Sequence, residues 1–290
     1  MSVLLIAAII LLYSFQTLFC KLYTDRYPGK AELASPVFCV LEGIFVTLIT
    51  FAFGGFRFSL SPFTLLMGVL NALALFTYNM SLIKAGSRGS YAFMNVIMLF
   101  GGLSVPSVYS AIFLNESISP LKIAAMFAVL VSCLLMNLED IKLKNTPFSY
   151  YVFCLILFVA NGLYGTFVKM QSVYRDDQKQ EMIMLTFALT GLIAFVQLLF
   201  SEKKETINAF RLNKKCILPL AVCILSASLA INLLVLVLPF VNTAVLYTVE
   251  NGGVLVLAAL YSVMFFREKL RPVKTAGILL AVAAITVMSL

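Results

Sequence analysis

The sequence predicts an all-α polytopic membrane protein whose ten transmembrane helices form two inverted five-helix repeats. Three observations lead to this prediction: an apolar composition, ten long apolar segments, and an internal repeat. Hydrophobic residues make up 62% of the 290 residues and charged residues 12%, and the mean hydropathy is +1.02. Soluble domains are about half apolar and about a quarter charged. The chain is therefore expected to lie in a lipid bilayer, and its composition excludes a disordered, nucleic-acid-binding or disulfide-scaffold protein.

Each predicted helix is an apolar segment between charge clusters or Pro, Gly and Asn turns, and spanning a bilayer takes about 20 such residues. The ten segments are Ser2–Lys21, Ala34–Phe53, Pro62–Ile83, Ser90–Leu114, Pro120–Leu138, Phe148–Met170, Glu181–Phe200, Cys216–Leu238, Asn242–Phe266 and Pro272–Leu290. Three of them begin at a proline, where the missing N–H costs nothing. The first has no basic start and no small-residue cleavage site, so it is expected to be a retained helix rather than a signal peptide.

The positive charges predict the orientation of the chain. Of the 21 Lys and Arg residues, 16 fall in or beside the odd-numbered loops (1–2, 3–4, 5–6, 7–8 and 9–10). Cytoplasmic loops carry such an excess, which also explains the net charge of +8. Both chain ends are then expected outside the cell membrane. Lys21, Lys84 and Lys169, near helix ends, are expected to extend their ammonium groups to the headgroups.

An internal repeat relates the two halves of the chain. Segment Tyr109–Leu138 aligns without gaps on Tyr261–Leu290. Nine position pairs are identical: 109/261, 110/262, 113/265, 116/268, 120/272, 122/274, 124/276, 136/288 and 138/290. Lys21 with Lys169 and Gly43 with Gly191 are weaker echoes. Because five helices per half is an odd number, the second half enters the membrane inverted, as in many secondary transporters. The predicted units are residues 1–145 and 146–290.

One loop signature occurs in each half. It reads Phe113-Leu114-Asn115-Glu116 followed by Pro120, and Phe265-Phe266-Arg267-Glu268 followed by Pro272 and Gly277. With the ten segments and the two halves, this signature resembles the drug/metabolite transporter superfamily, in its EamA-like ten-helix branch. Ala125 stands where the second half has Gly277. The resemblance implies a ten-helix secondary carrier with a central cavity between the halves.

Two glutamates are the sharpest functional signal. All four aspartates lie in loops, whereas Glu42 and Glu250 each lie eight residues inside a predicted span, about 12 Å deep. An ionised carboxylate there costs several kcal/mol unless it faces water or a cation. The functional interpretation is a proton site or a counter-charge for a cationic substrate. The structural alternative is a protonated or Lys-paired glutamate that holds helices together.

Polar side chains at similar depth complete the predicted site. Tyr247 lies three residues before Glu250 and is predicted to hydrogen-bond its carboxyl, and Asn251 is adjacent. Gly252 and Gly253 favour close helix packing over ligand contact. The remaining candidates are amides and phenols that either line a wet cavity or join helices: Gln16, Asn71, Tyr78, Asn79, Asn95, Asn161, Tyr164 and Asn232.

The residue inventory argues against an enzyme and against a metal or cofactor. The chain has no histidine, and its six cysteines form no CxxC pair, so they are expected to be small buried apolar residues. A Ser–His pair, a metal site or paired membrane aspartates for intramembrane chemistry are missing. A channel is compatible with the composition, but inverted halves around buried acids favour alternating access.

The sequence thus predicts a proton-coupled secondary transporter in the cell membrane, acting as a monomer on a small metabolite or drug-like compound. Its substrate is expected to be neutral, zwitterionic or cationic, because two acids and no base lie centrally. The alternative is an uncoupled facilitator or exchanger of an amino acid or nucleobase. A membrane transferase is the disfavoured enzyme alternative.

Overall fold

A computed structural model describes residues 2–86, 88, 91–138, 147–200, 209–266 and 272–289. These residues form ten long α-helices. They are α1 (Ser2–Arg26), α2 (Ala31–Phe53), α3 (Pro62–Gly86), α4 (Tyr91–Phe113), α5 (Pro120–Asn137), α6 (Phe148–Tyr174), α7 (Lys179–Leu199), α8 (Lys214–Val237), α9 (Thr243–Phe266) and α10 (Pro272–Ser289). A single turn of 3₁₀ helix, Asp176–Gln178, precedes α7. The all-helical class and the number of ten helices are confirmed.

Seven of the ten helices (α1–α4 and α6–α8) are long and apolar enough to cross a membrane. In α5, α9 and α10 the apolar stretches among the described residues are shorter, Pro120–Met136, Thr243–Leu257 and Pro272–Val287. Large apolar side chains point outward along the bundle, Phe148 and Phe200 among them. An outer surface of this kind belongs in lipid rather than water. The chain is therefore an integral membrane protein.

Local sequence explains where several helices begin. Helices α3, α5 and α10 start at prolines, as predicted. The hydroxyl of Ser119 accepts a hydrogen bond from the backbone N–H of Lys122 at the start of α5. The side chain of Asn213 does the same for Cys216 in α8. These caps satisfy backbone donors that have no partner within the helix.

Most helix packing joins the first five helices to the last five. The principal contacts between them are α1 with α8 and α9, α2 with α7 and α8, α3 with α6 and α7, α4 with α6 and α9, and α5 with α9 and α10. Within each set the clearest neighbours are α4 with α5 and α9 with α10. The core consequently lies between residues far apart in sequence, such as Tyr23, Val46 and Leu234.

Helix directions follow from contacts at two levels of each pair. On α2 and α7, Gly43 lies against Gly191, and the Thr47 hydroxyl lies 3.3 Å from the Met184 carbonyl oxygen, so these helices are antiparallel. On α1 and α9, Ile10 lies against Gly253 and the Ser14 and Tyr261 hydroxyls are 3.1 Å apart, so these are parallel. These directions fit a chain that runs alternately up and down.

Candidate functional site

The two predicted acids lie on helices from different halves of the chain. Glu42 projects from α2 and is 5% exposed, and Glu250 projects from α9 and is partly buried. In the described part of the chain neither carboxyl forms an ion pair with Lys or Arg. The side chain of Glu42 has no hydrogen-bond partner there either. The Lys-paired structural alternative is thus unsupported for both residues among the described contacts.

The local bonds of Glu250 differ from the sequence expectation. Its carboxylate accepts a hydrogen bond from the Asn251 amide at 3.0 Å, and that amide also donates to the Tyr247 carbonyl at 2.8 Å. The Tyr247 hydroxyl donates instead to the carbonyl of Gly165 on α6, at 3.2 Å. The prediction that Tyr247 bonds to the Glu250 carboxyl is therefore wrong, because its hydroxyl points to a backbone acceptor on the neighbouring helix.

Three tyrosines lie near one or both of the acids. The Tyr13 hydroxyl lies within electrostatic range of Glu42, Glu250, Tyr164 and Tyr247. Tyr164 is likewise within range of both acids. We call these five residues the acid–tyrosine cluster. They come from α1, α2, α6 and α9, and therefore from both halves of the chain.

Sequence reasoning missed Tyr13. A lone tyrosine on an apolar helix carries little signal, although Tyr13 lies three residues before the predicted Gln16 and thus on the same side of α1. The Gln16 side chain is partly buried, and its backbone carbonyl accepts a bond from the Cys223 thiol at 3.4 Å.

Three cysteines border the cluster beside Glu42. Cys20 on α1 lies near Glu42, and the Cys223 thiol on α8 faces α1, where it donates to the Gln16 carbonyl. The Cys39 sulfur accepts a bond from the predicted residue Asn79 at 3.2 Å. None of the six cysteines forms a disulfide, and no metal-binding group of His, Cys, Asp and Glu occurs among the residues described.

The other predicted amides and phenols mostly join helices. Asn71 donates to the Thr186 hydroxyl at 3.3 Å, and Asn232 to the Thr50 hydroxyl at 2.9 Å. Two further predicted residues, Tyr78 and Asn161, donate to Met98 on α4, through its sulfur and its carbonyl respectively. The Asn95 side chain lies outside the described residues.

The paired glycines on α9 serve close packing. A Cβ atom at Gly252 would lie 3.0 Å from Ile285 of α10, and one at Gly253 would lie 2.8 Å from Ile10 of α1. This agrees with the preference for packing over ligand contact. Because Gly253 faces α1, Glu250, one turn earlier, faces the same neighbour and approaches Tyr13.

The ammonium group of Lys169 does not extend to the lipid headgroups as predicted. Its side chain is 3% exposed, and its ammonium lies 2.8 Å from the Glu116 carboxylate. It also donates to the Leu238 carbonyl at 3.2 Å. The expectation of an extended, lipid-headgroup lysine is wrong at this position because a loop carboxylate folds over it. Lys84 does lie at an exposed helix end, with its ammonium 5.5 Å from the Phe153 ring, and the Lys21 side chain is outside the described residues.

Two surface grooves lie away from the acids. One, of about 360 Å³, runs between α4 and α5 and is lined by apolar residues such as Phe100, Ile112 and Phe127. The other, of about 330 Å³, lies between α2 and α7 around Phe51 and Met184. Neither Glu42 nor Glu250 lines either groove.

Comparison with known proteins establishes the fold. No model of a known protein family matches the chain, and no curated protein matches it in sequence. One crystal structure of a protein superposes with a TM-score of 0.78 over 99% of this chain and 95% of the other, at 14% sequence identity. At that identity, the likeness extends to the arrangement of helices alone.

Proposed function

We propose that this protein is a proton-coupled secondary transporter of a small neutral, zwitterionic or cationic compound. The proposal rests chiefly on two acids that form no ion pair among the described residues, one in each half of the chain. Glu42 is buried and Glu250 is partly buried. In low-dielectric surroundings such carboxyls either hold protons or face a cation. A carboxyl that exchanges a proton for a cationic substrate couples the movement of the proton to that of the substrate without leaving net charge in lipid.

The helix contacts support two inverted halves, residues 1–145 and 146–290. Exchanging α1–α5 with α6–α10 in order converts the α1–α8 contact into α6–α3, and the α1–α9 contact into α6–α4. It converts α2–α8 into α7–α3 and leaves α2–α7, α4–α9 and α5–α10 unchanged. A two-fold axis in the membrane plane has this effect, and transporters with inverted repeats bind substrate near such an axis.

The pair Gly43 and Gly191 gives this symmetry an atomic counterpart. These residues echo one another in the sequence repeat and touch across α2 and α7, where a Cβ at Gly43 would lie 2.9 Å from the Gly191 Cα. Equivalent residues of two halves meet in this way only near a symmetry axis. On this proposal all ten helices span the membrane, as in the EamA-like branch of the drug/metabolite transporters. The protein acts as a monomer in the cell membrane.

The test uses Glu250→Gln, which keeps the shape of the side chain and removes its titration. A thermal-shift screen of the purified protein against amines, amino acids, nucleobases and quaternary ammonium compounds first selects a probe. Uptake of that probe into proteoliposomes is then driven by an imposed pH gradient. We expect Glu250→Gln to abolish pH-driven uptake and Glu42→Gln to reduce it less.

Glu181→Gln is the matched control, because Glu181 is a buried glutamate outside the cluster that accepts a bond from the Ser59 N–H. It should retain pH-driven uptake. Wild-type uptake by folded Glu250→Gln would contradict the proposal. Loss of folding in that variant, seen as a lowered melting temperature with an unstable monomer, would favour the structural role instead.

A further inference from the structure

A polar network connects the two halves at one end of the bundle. The Ser110 hydroxyl donates to the Thr243 hydroxyl at 2.9 Å, and Thr243 donates its hydroxyl and backbone N–H to Glu116, at 3.0 and 2.7 Å. Glu116 also pairs with Lys169, which bonds to the Leu238 carbonyl. We call these five residues the α4–α9 junction. It joins α4 and its following loop to α6, the end of α8 and the start of α9.

The junction is largely buried although it contains an ion pair. Ser110, Lys169, Leu238 and Thr243 are all buried, and the Glu116 side chain is 19% exposed. A buried ion pair adds little net stability compared with apolar packing, since desolvation offsets most of the attraction. Its components can, however, separate into water when one end of a bundle opens, which apolar side chains do not do readily. The network is therefore suited to a contact that forms and breaks.

The junction also lies one to two helical turns from the acid–tyrosine cluster along α6 and α9, toward its own end of the bundle. Thr243 precedes Glu250 by seven residues on α9, about 10 Å along the helix axis. Lys169 follows Gly165, the acceptor of the Tyr247 hydroxyl, by one turn of α6. Separating the junction would open a route toward Glu250 along α6 and α9.

We infer that the α4–α9 junction is the gate at this end of the transport route, with the Glu116–Lys169 pair as its closing contact. This inference rests on the proposed alternating-access function. In the described conformation the gate is shut. Opening it moves the loop that carries Glu116 away from α6 and α9 and admits water and solute to the cluster.

The test measures access and needs neither substrate nor proton gradient. Thr166 is buried on α6, three residues deeper than Lys169. A Thr166→Cys variant without the six native cysteines is treated with a membrane-impermeant maleimide from the side of Ser117. Mass spectrometry of the peptide containing residue 166 gives the labelling rate.

We expect Lys169→Met to raise this rate by about tenfold, as the closed population falls. Lys169→Arg keeps a cationic donor for the Glu116 carboxylate and the Leu238 carbonyl, and should leave the rate near that of the original pair. Lys179→Met is the matched control, because Lys179 also forms a 2.8 Å ion pair, with Asp176, whose side chain is 47% exposed. It should leave the rate unchanged. An unchanged rate in Lys169→Met, or equal acceleration by Lys179→Met, would overturn the gate.

A second variant covers the case in which Lys169→Met does not fold. Ser110→Cys with Thr243→Cys replaces hydroxyls 2.9 Å apart by thiols that oxidation can join, which ties α4 to α9 while Glu116 and Lys169 remain. Oxidation should stop the slow labelling of residue 166, and dithiothreitol should restore it. Equal labelling of the oxidised and reduced forms would refute a gate that opens. Because labelling needs no transport, failure of the Glu250→Gln test and failure of the gate are distinguishable.

Discussion

The contribution of the Glu116–Lys169 pair to the free energy of unfolding can be predicted from the partners that remain after each substitution. Glu116→Gln removes the carboxylate and leaves a buried ammonium whose remaining described partner is the Leu238 carbonyl. Breaking a buried pair in this way costs about 3–5 kcal/mol. Lys169→Met leaves a partly exposed carboxylate that keeps both donors of Thr243, so we expect a smaller cost of about 1–3 kcal/mol.

The double variant, Glu116→Gln with Lys169→Met, contains no isolated charge at this position. Its free energy of unfolding should fall by less than the sum of the two single changes, with a coupling of about 2 kcal/mol. Denaturation by sodium dodecyl sulfate in mixed micelles, followed by circular dichroism, measures all four proteins. The exposed Arg175–Asp177 pair is the control cycle and should couple by less than about 1 kcal/mol. Additivity within about 0.5 kcal/mol at Glu116 and Lys169 would refute the reasoning.

Two further predictions concern packing and orientation. Gly43→Ala should lower the free energy of unfolding by about 1–3 kcal/mol, because the added Cβ would lie 2.7 Å from the backbone carbonyl oxygen of Phe187. The control is Gly54→Ala, where the nearest atoms would be 3.6 Å from the added Cβ and the free energy should change far less. Equal losses in the two variants would count against the close approach of α2 and α7. A single cysteine at position 117 should react with an impermeant maleimide added outside intact cells, whereas one at position 214 should react only from the cytoplasmic side. The reverse pattern would invert the orientation without affecting the fold.

The helices were predictable from sequence because spanning length is a local property. Seven of the apolar runs are long enough to be recognised by length alone, and Pro62, Pro120 and Pro272 fix three helix starts. Helix ends were less accurate where polar residues continue a helix past its apolar run. Helix α1 extends five residues beyond the predicted end, Lys21, to Arg26.

The partners of side chains were not predictable in the same way. Lys169 looked like a lysine at a lipid headgroup because its counter-charge, Glu116, lies 53 residues earlier in the chain. Glu42 and Glu250 were recognisable as acids in apolar spans, but Tyr13 was not distinguishable from other tyrosines. The pattern of apolar residues along a membrane helix does not indicate which helix it packs against, since the faces toward lipid and toward protein are both apolar.

The interleaving of the two halves has a consequence for biosynthesis. Helix α1 packs chiefly on α8, which begins about 190 residues after α1 ends. At about 5–20 residues per second, the ribosome needs roughly 10–40 s to make that partner. During this interval the newly inserted α1 and α2 have only lipid, the translocon or a chaperone to cover the surfaces that later meet α7, α8 and α9. The Glu42 carboxyl is among the groups left without its final neighbours, so the nascent first half is expected to be the form of this protein most exposed to quality-control proteolysis.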